Sequence, residues 1–280
     1  MSWTASLDLR YAFHQDSNLQ RTVAHAKHVG PLRILQSLYP EGDAVCHNVL
    51  VHPPGGLVGG DTLDIKIEAE PSSHGLITTP GATRFYRSEN ELAVQRTNIT
   101  LKDKARLEWL PLEAICYSGC LAENRLTVQL APSAEFMGWD ITALGLPHAQ
   151  QPFVSGHLQQ HIEIPGVWLE RSRIAANDSL LLESPLGLAG MRCMATLFFA
   201  SGTALARNRK EQALEAARQI TEGHSLAATA GASCPNPHVV VVRLIAAQVE
   251  PAMQLLRAIR LAWRQTLWGM APHTPRIWAM

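Results

Sequence analysis

What most constrains the fold of this chain is the recurrence of short segments in which apolar and polar residues alternate. They cover residues 32–37, 62–69, 75–79, 92–101, 105–110, 124–130, 157–164, 168–174 and 195–199. A period of two marks a half-buried strand, because successive side chains leave a strand on opposite faces. Turn-forming clusters separate the segments: Pro40-Glu41-Gly42-Asp43, Glu70 to Gly75, Pro80-Gly81, Ala131-Pro132-Ser133, Ile164-Pro165-Gly166 and Ala176-Asn177-Asp178. Strands at roughly ten-residue spacing with such punctuation predict stacked sheets, a sandwich or a barrel. Alternating strand–helix units are missing, which argues against a doubly wound nucleotide-binding sheet.

Two helices are predicted near the C-terminus. Residues 208–222 place Ala213, Leu214, Ala217 and Ile220 on one stripe, with Asn208 as N-cap and Gly223 as the stop. Residues 251–268 open on Pro251 and carry Leu255, Leu256, Ile259, Ala262 and Trp263 on one face. Arg257, Arg260 and Arg264 form a second face, which reads either as solvated surface or as a docking face for an acidic partner. Between the helices, residues 238–246 (HVVVVRLIA) read as a buried strand. No repeat, linker or low-complexity tract divides the chain. The expected fold class is therefore mainly β (α+β): stacked β-sheets in a single domain, residues 1–280, with two helices near the C-terminus.

Charge and composition narrow the functional classes. Lys+Arg and Asp+Glu are 24 each, so no global basic footprint invites nucleic acid or an anionic membrane. No apolar run approaches the ~20 residues of a membrane span. The first residues lack the basic and apolar regions of a signal peptide. Five scattered cysteines suit reduced thiols better than a disulfide framework, and the expected location is the cytoplasm.

The stretch from His52 to Thr62, HPPGGLVGGDT, looks at first like a phosphate cradle. Gly55, Gly60 and Thr62 stand at P-loop spacing, but Asp61 fills the lysine position and would repel phosphates. A strand follows where a P-loop needs a helix N-terminus. The ordinary reading is a tight turn between strands. The twelve histidines form no H-E-x-x-H pair. His25 and His28 are three residues apart in a segment of weak helical character. His157 and His161 share a strand face but stand about 13 Å apart, too far to share an ion. Cys116 and Cys120 have the wrong spacing for a zinc knuckle. Cys46-His47 reads as a buried thiol beside a strand-end histidine, with a transient soft-metal site as the alternative. No nucleophile elbow is present. Glycosidase-type carboxylate pairs stay open among Asp61, Glu108, Glu113, Asp140 and Glu170.

Three motifs in order, HPPGGLVGGDTL, TTPGATRFYRS (78–88) and LEWLPLEAICYSG (107–119), resemble segments of the urease accessory protein D family, UreD or UreH. GWDITALGLP (138–147), VWLERSRI (167–174), SPLGLAG (184–190) and the terminal PRIWAM extend the resemblance over nearly the whole chain. Departures fall at Leu112-Glu113-Ala114, at Gly145-Leu146-Pro147 and at Met280, where the family usually has threonine.

The resemblance implies a urease maturation factor rather than an enzyme. Such a factor binds apo-urease, UreF and the GTPase UreG, and assists lysine carbamylation and nickel insertion. It also implies a largely β fold of stacked sheets, no tightly bound cofactor, and nickel as a transient passenger along a water-filled passage. A passage needs weak, repeated contacts so that the ion enters and leaves. By motif position Asp61, Asp140 and Glu170 are the expected contacts, against structural roles as turn cap, backbone partner and partner of Arg171 or Arg173. Arg84 and Tyr86, with Arg257, Arg260 and Arg264, are the expected partner interface, since Arg and aromatic residues anchor interfaces. Phe85 reads as part of a strand pair with a cation–π contact. The alternative class is a cytoplasmic metal-dependent hydrolase built on Asp61, His52 and further carboxylates.

Overall fold

The computed structural model describes residues 2–16 and 19–279; Met280, one departure from the family pattern, lies outside them. The chain begins with β1 (Thr4–Asp16), β2 (Leu19–Val29), β3 (Arg33–Ile34), β4 (Val45–Val51), β5 (Thr62–Ala69) and β6 (His74–Thr78). It continues through β7 (Thr83–Phe85), β8 (Ala93–Leu101), β9 (Arg106–Leu110), β10 (Ala114–Cys116), β11 (Cys120–Leu130) and β12 (Glu135–Leu146). Then come β13 (Gln151–Pro152), β14 (Gly156–Ile164), β15 (Trp168–Ala175), α1 (Ser179–Glu183) and β16 (Cys193–Ser201). The last elements are α2 (Arg207–Glu222), β17 (Ala230–Asn236), β18 (Val239–Ala246) and α3 (Val249–Trp268).

The strands form two stacked sheets, as the alternating segments predict. A seven-stranded sheet has the order β15-β14-β11-β8-β5-β1-β2. An eleven-stranded sheet has the spine β17-β18-β16-β12-β9-β6-β4-β3. From β5 to β14 the main strands alternate between the sheets, so β5, β8, β11 and β14 become parallel neighbours in one sheet. In the other sheet β6, β9 and β12 do the same. Parallel neighbours need a crossover, usually a helix. Here the opposite sheet's strand supplies it.

The corners of this coil share one geometry. At residues 70–73, 102–105 and 131–134 the last N–H donates to the first carbonyl: Ser73 to Glu70 at 3.1 Å, Ala105 to Lys102 at 3.1 Å, Ala134 to Ala131 at 2.9 Å. The turns also stack, with Ser72 N–H donating to Asp103 O at 3.0 Å and Lys104 N–H to Ser133 Oγ at 2.9 Å. The repeat is one of chain path, which is why the sequence shows none.

Two apolar layers result. Leu7, Ile65, Ile99 and Val128 of the smaller sheet meet Leu107, Phe136 and Phe198 of the larger. On the larger sheet's other face, Leu197, Phe199, Val240 and Val242 meet Leu255, Ile259 and Trp263 of α3. Each such side chain contributes about 1.5–3 kcal/mol on burial.

Several details differ from expectation. The helix predicted at 208–222 starts at Arg207, after Ala206 with no side-chain cap, so Asn208 lies inside it. Pro251 does sit in the first turn of α3, which ends on Gly269 in the left-handed region at φ 64°. A short third helix, α1, is capped by Asp178, whose side chain accepts from Leu181 N–H at 3.0 Å. The segment holding His25 and His28 is strand β2, not helix. β4 and β12 escape the alternation rule because nearly every residue in them is buried.

Candidate functional site

Asp140 stands on β12, in the larger sheet, and interrupts the apolar layer between the sheets. Asn124 of β11 donates to its Oδ2 at 2.9 Å, and Thr142 of β12 to its Oδ1 at 3.2 Å. The Gln160 amide of β14 donates to Oδ1 as well. Burial pushes the Asp140 carboxyl up to about 6, and the nearby Glu170 charge adds to the rise against these hydrogen bonds. All its partners are amides and a hydroxyl; no guanidinium or ammonium ion-pairs with it among the described residues.

Glu170 comes from β15 in the smaller sheet. Its Oε1 accepts from Thr196 at 3.1 Å, and Thr196 lies directly opposite Asp140 in the β12–β16 ladder. Arg243 of β18 donates to Glu170 Oε2 through Nε at 2.9 Å and Nη2 at 2.6 Å. Arg171 and Arg173, the partners expected from sequence, are exposed. They are neighbours of odd spacing, so the two-residue period turns them to the opposite face. The fold thus brings Asp140 and Glu170 together across the sheets. Gln160 also borders a hollow of about 440 Å³ among Glu123, His161 and Arg171, while its side-chain amide turns inward to Asp140.

Asp61 does not join this group. Its Oδ2 accepts from Val58 N–H at 3.0 Å and its Oδ1 from Trp3 N–H at 3.2 Å, which fixes the end of the glycine loop. The loop is a close-packed turn. Leu57 N–H donates to Arg84 O at 2.7 Å, and Tyr86 N–H returns the bond to Leu57 O at 2.9 Å. A Cβ on Gly56 would lie 2.3 Å from the Tyr86 ring, so that strand pairing requires glycine. His52, Gly55, Thr79, Arg84 and Trp109 line a cavity of about 280 Å³ beside it. Arg84 is exposed, Phe85 is fully buried, and Tyr86 is half-buried with its ring 5.0 Å from Tyr117.

A second set of buried charges lies under α3, and it overturns the surface reading of that helix. Arg260 and Arg264 are both 0% exposed. Arg260 Nε donates to Glu108 Oε2 at 2.6 Å, and Arg264 Nη1 lies 3.4 Å from Glu108 Oε1. Arg264 also grips Glu41, with Nη1 donating to Oε1 at 3.0 Å. Neither arginine can form a docking face or meet water. α3 is covered on two sides, by its apolar stripe and by these carboxylates. Arg257 alone of the three is half-buried, with its guanidinium 4.7 Å above the Trp278 ring.

Burial pushes the Glu108 carboxyl up, but Arg260, His74 and Arg264 outweigh it and hold it well below the usual carboxylate range. Glu41 is likewise held at about 2, since hydrogen bonds from His47 and Arg264 overcome burial. The signal for this network was present in the sequence. Glu108 stands between Leu107 and Trp109 in the strand RLEWL, and a charge so flanked requires a partner once buried.

Cys46 faces Asn48 and Tyr39, away from the His47 ring, which meets Glu41. All five cysteines are free. A hydrogen bond donated to Cys120, and then burial, push the Cys116 thiol up. No helix is long and apolar enough to cross a membrane.

These features define a mainly β protein of coiled, stacked sheets with carboxylates enclosed between the layers. The chain belongs to the UreD urease accessory protein family, whose profile matches residues 4–279. It is 65% identical over 280 residues, all of both chains, to a "Urease accessory protein UreD" of Polaromonas sp. (strain JS666 / ATCC BAA-500). A protein of the same name from Variovorax paradoxus (strain S110) is 64% identical over 279 residues, 100% of each chain. One from Leptothrix cholodnii is 54% identical over 278 residues, 99% of each chain.

Proposed function

We propose that this chain is a non-catalytic accessory protein of urease maturation, which assembles with apo-urease, UreF and UreG and gives nickel a path past Asp140 and Glu170. The family membership and the relatives' names support the maturation role. The observation that carries the nickel path is Asp140, a carboxylate between the sheets with no cationic partner and with Glu170 beside it. A divalent cation would relieve that surplus charge, and oxygen and amide contacts alone would hold it weakly enough to release it. Gln160, whose amide holds Asp140 and whose strand borders the surface hollow, lies next along the path in this reading. Asp61, tied by two backbone N–H groups, acts in this reading as a structural cap rather than as a nickel contact.

Partner contact is assigned to exposed Arg84, half-buried Tyr86 and half-buried Arg257. Leu186, 100% exposed in the SPLGLAG segment, adds apolar surface of the kind partners cover. Assembly takes place in the cytoplasm, and nickel is cargo rather than a resident cofactor.

The test is deletion and complementation in cells carrying the complete urease gene set. Loss of urease activity on deletion, restored by this chain together with recovery of UreF, UreG and urease in one pull-down, is the expected outcome. Normal urease maturation without the chain contradicts the proposal.

A further inference from the structure

The geometry points to a second, imidazole-rich divalent-cation site on this chain, formed by Glu41, His47 and His273 and suited to nickel(II), cobalt(II) or zinc(II). It is independent of the Asp140 path, because it lies against the opposite face of the larger sheet and its binding is measurable on the chain alone. Glu41 comes from the turn before β4, His47 from β4, and His273 from the segment after α3. One ligand atom from each residue lies within 4.8 Å of the others. His47 Nε2 is 2.7 Å from Glu41 Oε1, and the His47 and His273 rings meet edge-on with centroids 5.5 Å apart.

Three observations make this more than a chance meeting of polar groups. First, His273 Nε2 is enclosed yet has no hydrogen-bond partner. A buried, unpaired ring nitrogen is costly unless something completes it. Second, the backbone around the ring is fixed. The His273 carbonyl accepts from Arg260 Nη1 at 2.5 Å, and the Trp278 indole donates to Thr78 Oγ1 at 2.8 Å. Third, Glu41 is held in place by Arg264, whose Nη1 donates to Oε1 at 3.0 Å and whose Nη2 donates to Oε2, so the carboxylate is fixed beside His47.

The donor set selects the ion. Two imidazoles and one carboxylate suit nickel, cobalt and zinc, while magnesium and calcium prefer oxygen alone. Ligand atoms around such an ion stand roughly 3–3.5 Å apart, given metal–ligand bonds of about 2.0–2.2 Å. Binding therefore requires the three ligand atoms, which lie within 4.8 Å of one another, to draw together to that spacing. Three protein ligands leave positions for water, which makes the site exchangeable rather than closed. Arg260 and Arg264 already neutralise Glu108 and Glu41, so an added dication meets surroundings of no net negative charge, and this also favours ready release. Metal here would tie the C-terminal segment to β4.

The experiment titrates the full-length chain with cobalt(II) chloride and follows the visible ligand-field bands, with nickel(II) calorimetry in parallel. The wild type is expected to take up one ion at this site. His273→Ala and His47→Gln should each weaken that uptake at least about tenfold, the lower end for outer partners of metal ligands. His25→Ala, His148→Ala and Asp140→Asn should leave it unchanged. Wild-type uptake by His273→Ala overturns the assignment, as does loss of the same bands in Asp140→Asn. Because His47→Gln can disturb the neighbouring ion network, the unmutated chain is also treated with diethyl pyrocarbonate. Nickel should shield His273 from modification, as read by peptide mass spectrometry; equal modification with and without nickel contradicts the site.

Discussion

Glu108 and Asp140 are both carboxylates on strands of the eleven-stranded sheet, one facing the helices and the other facing the seven-stranded sheet. Glu108 is met by two guanidinium groups, Arg260 and Arg264, and is held ionised. Asp140 is met only by Asn124, Gln160 and Thr142, has Glu170 nearby, and is pushed up to about 6. The first environment is complete without any other species. In the second, Glu170 is paired with Arg243, but Asp140 has no cationic partner among the described residues. The contrast separates charge that holds layers together from charge poised to meet a mobile cation.

The largest effect should come from breaking the complete network. Glu108→Ala leaves two buried guanidinium groups without their shared carboxylate, and removing one partner of a buried pair costs about 3–5 kcal/mol. Chemical denaturation of the purified chain measures it. A loss below about 1 kcal/mol, the size of an exposed pair, would remove the distinction between the regions.

Asp140→Asn should act in the opposite direction. The folded chain binds this proton more tightly than the unfolded chain, whose carboxyl has the ordinary value of 3.8. Its contribution to stability is therefore full below about pH 4 and is lost as pH rises through 6. At pH 7 the asparagine variant should be more stable by roughly 1–2 kcal/mol, discounted for partial exposure, and the gain should vanish near pH 4. Glu41 has the reverse sign. Its contribution is present above the ordinary 4.5 and fades as pH falls toward 2. A stability profile from pH 3 to pH 7, flat for Asp140→Asn relative to wild type, would break the comparison.

Asp61→Ala sharpens it with a smaller effect. The substitution removes a cap that accepts from Val58 and Trp3 N–H groups, so a loss of about 1–2 kcal/mol is expected. Nickel delivery per folded molecule should not change. Normal stability with impaired delivery would return Asp61 to the path.

The sequence made much of this visible. The alternating pattern located β5 to the residue and β8 and β9 to within one, and it called for stacked sheets. It hid β4 and β12, because burial on both faces erases alternation. The arginine stripe misled because a charged helix face looks alike whether it meets water or a buried carboxylate. Only pairing it with Glu108 distinguishes the two, and that pair is separated by 152 residues. Asp140 and Glu170 stood out by their position in the family-like motifs, each in a Gly-rich or aromatic-flanked segment. Their meeting depends on β12 and β15 falling in different sheets, which is topology and not local pattern.

The most direct test of the account is nickel content per urease in cells expressing the complete gene set with wild type or Asp140→Asn, with complex assembly checked by pull-down. The account predicts that Asp140→Asn assembles the complex normally and yields urease with less nickel, while the variant itself is no less stable. Full nickel content from a normally assembled Asp140→Asn complex would contradict it.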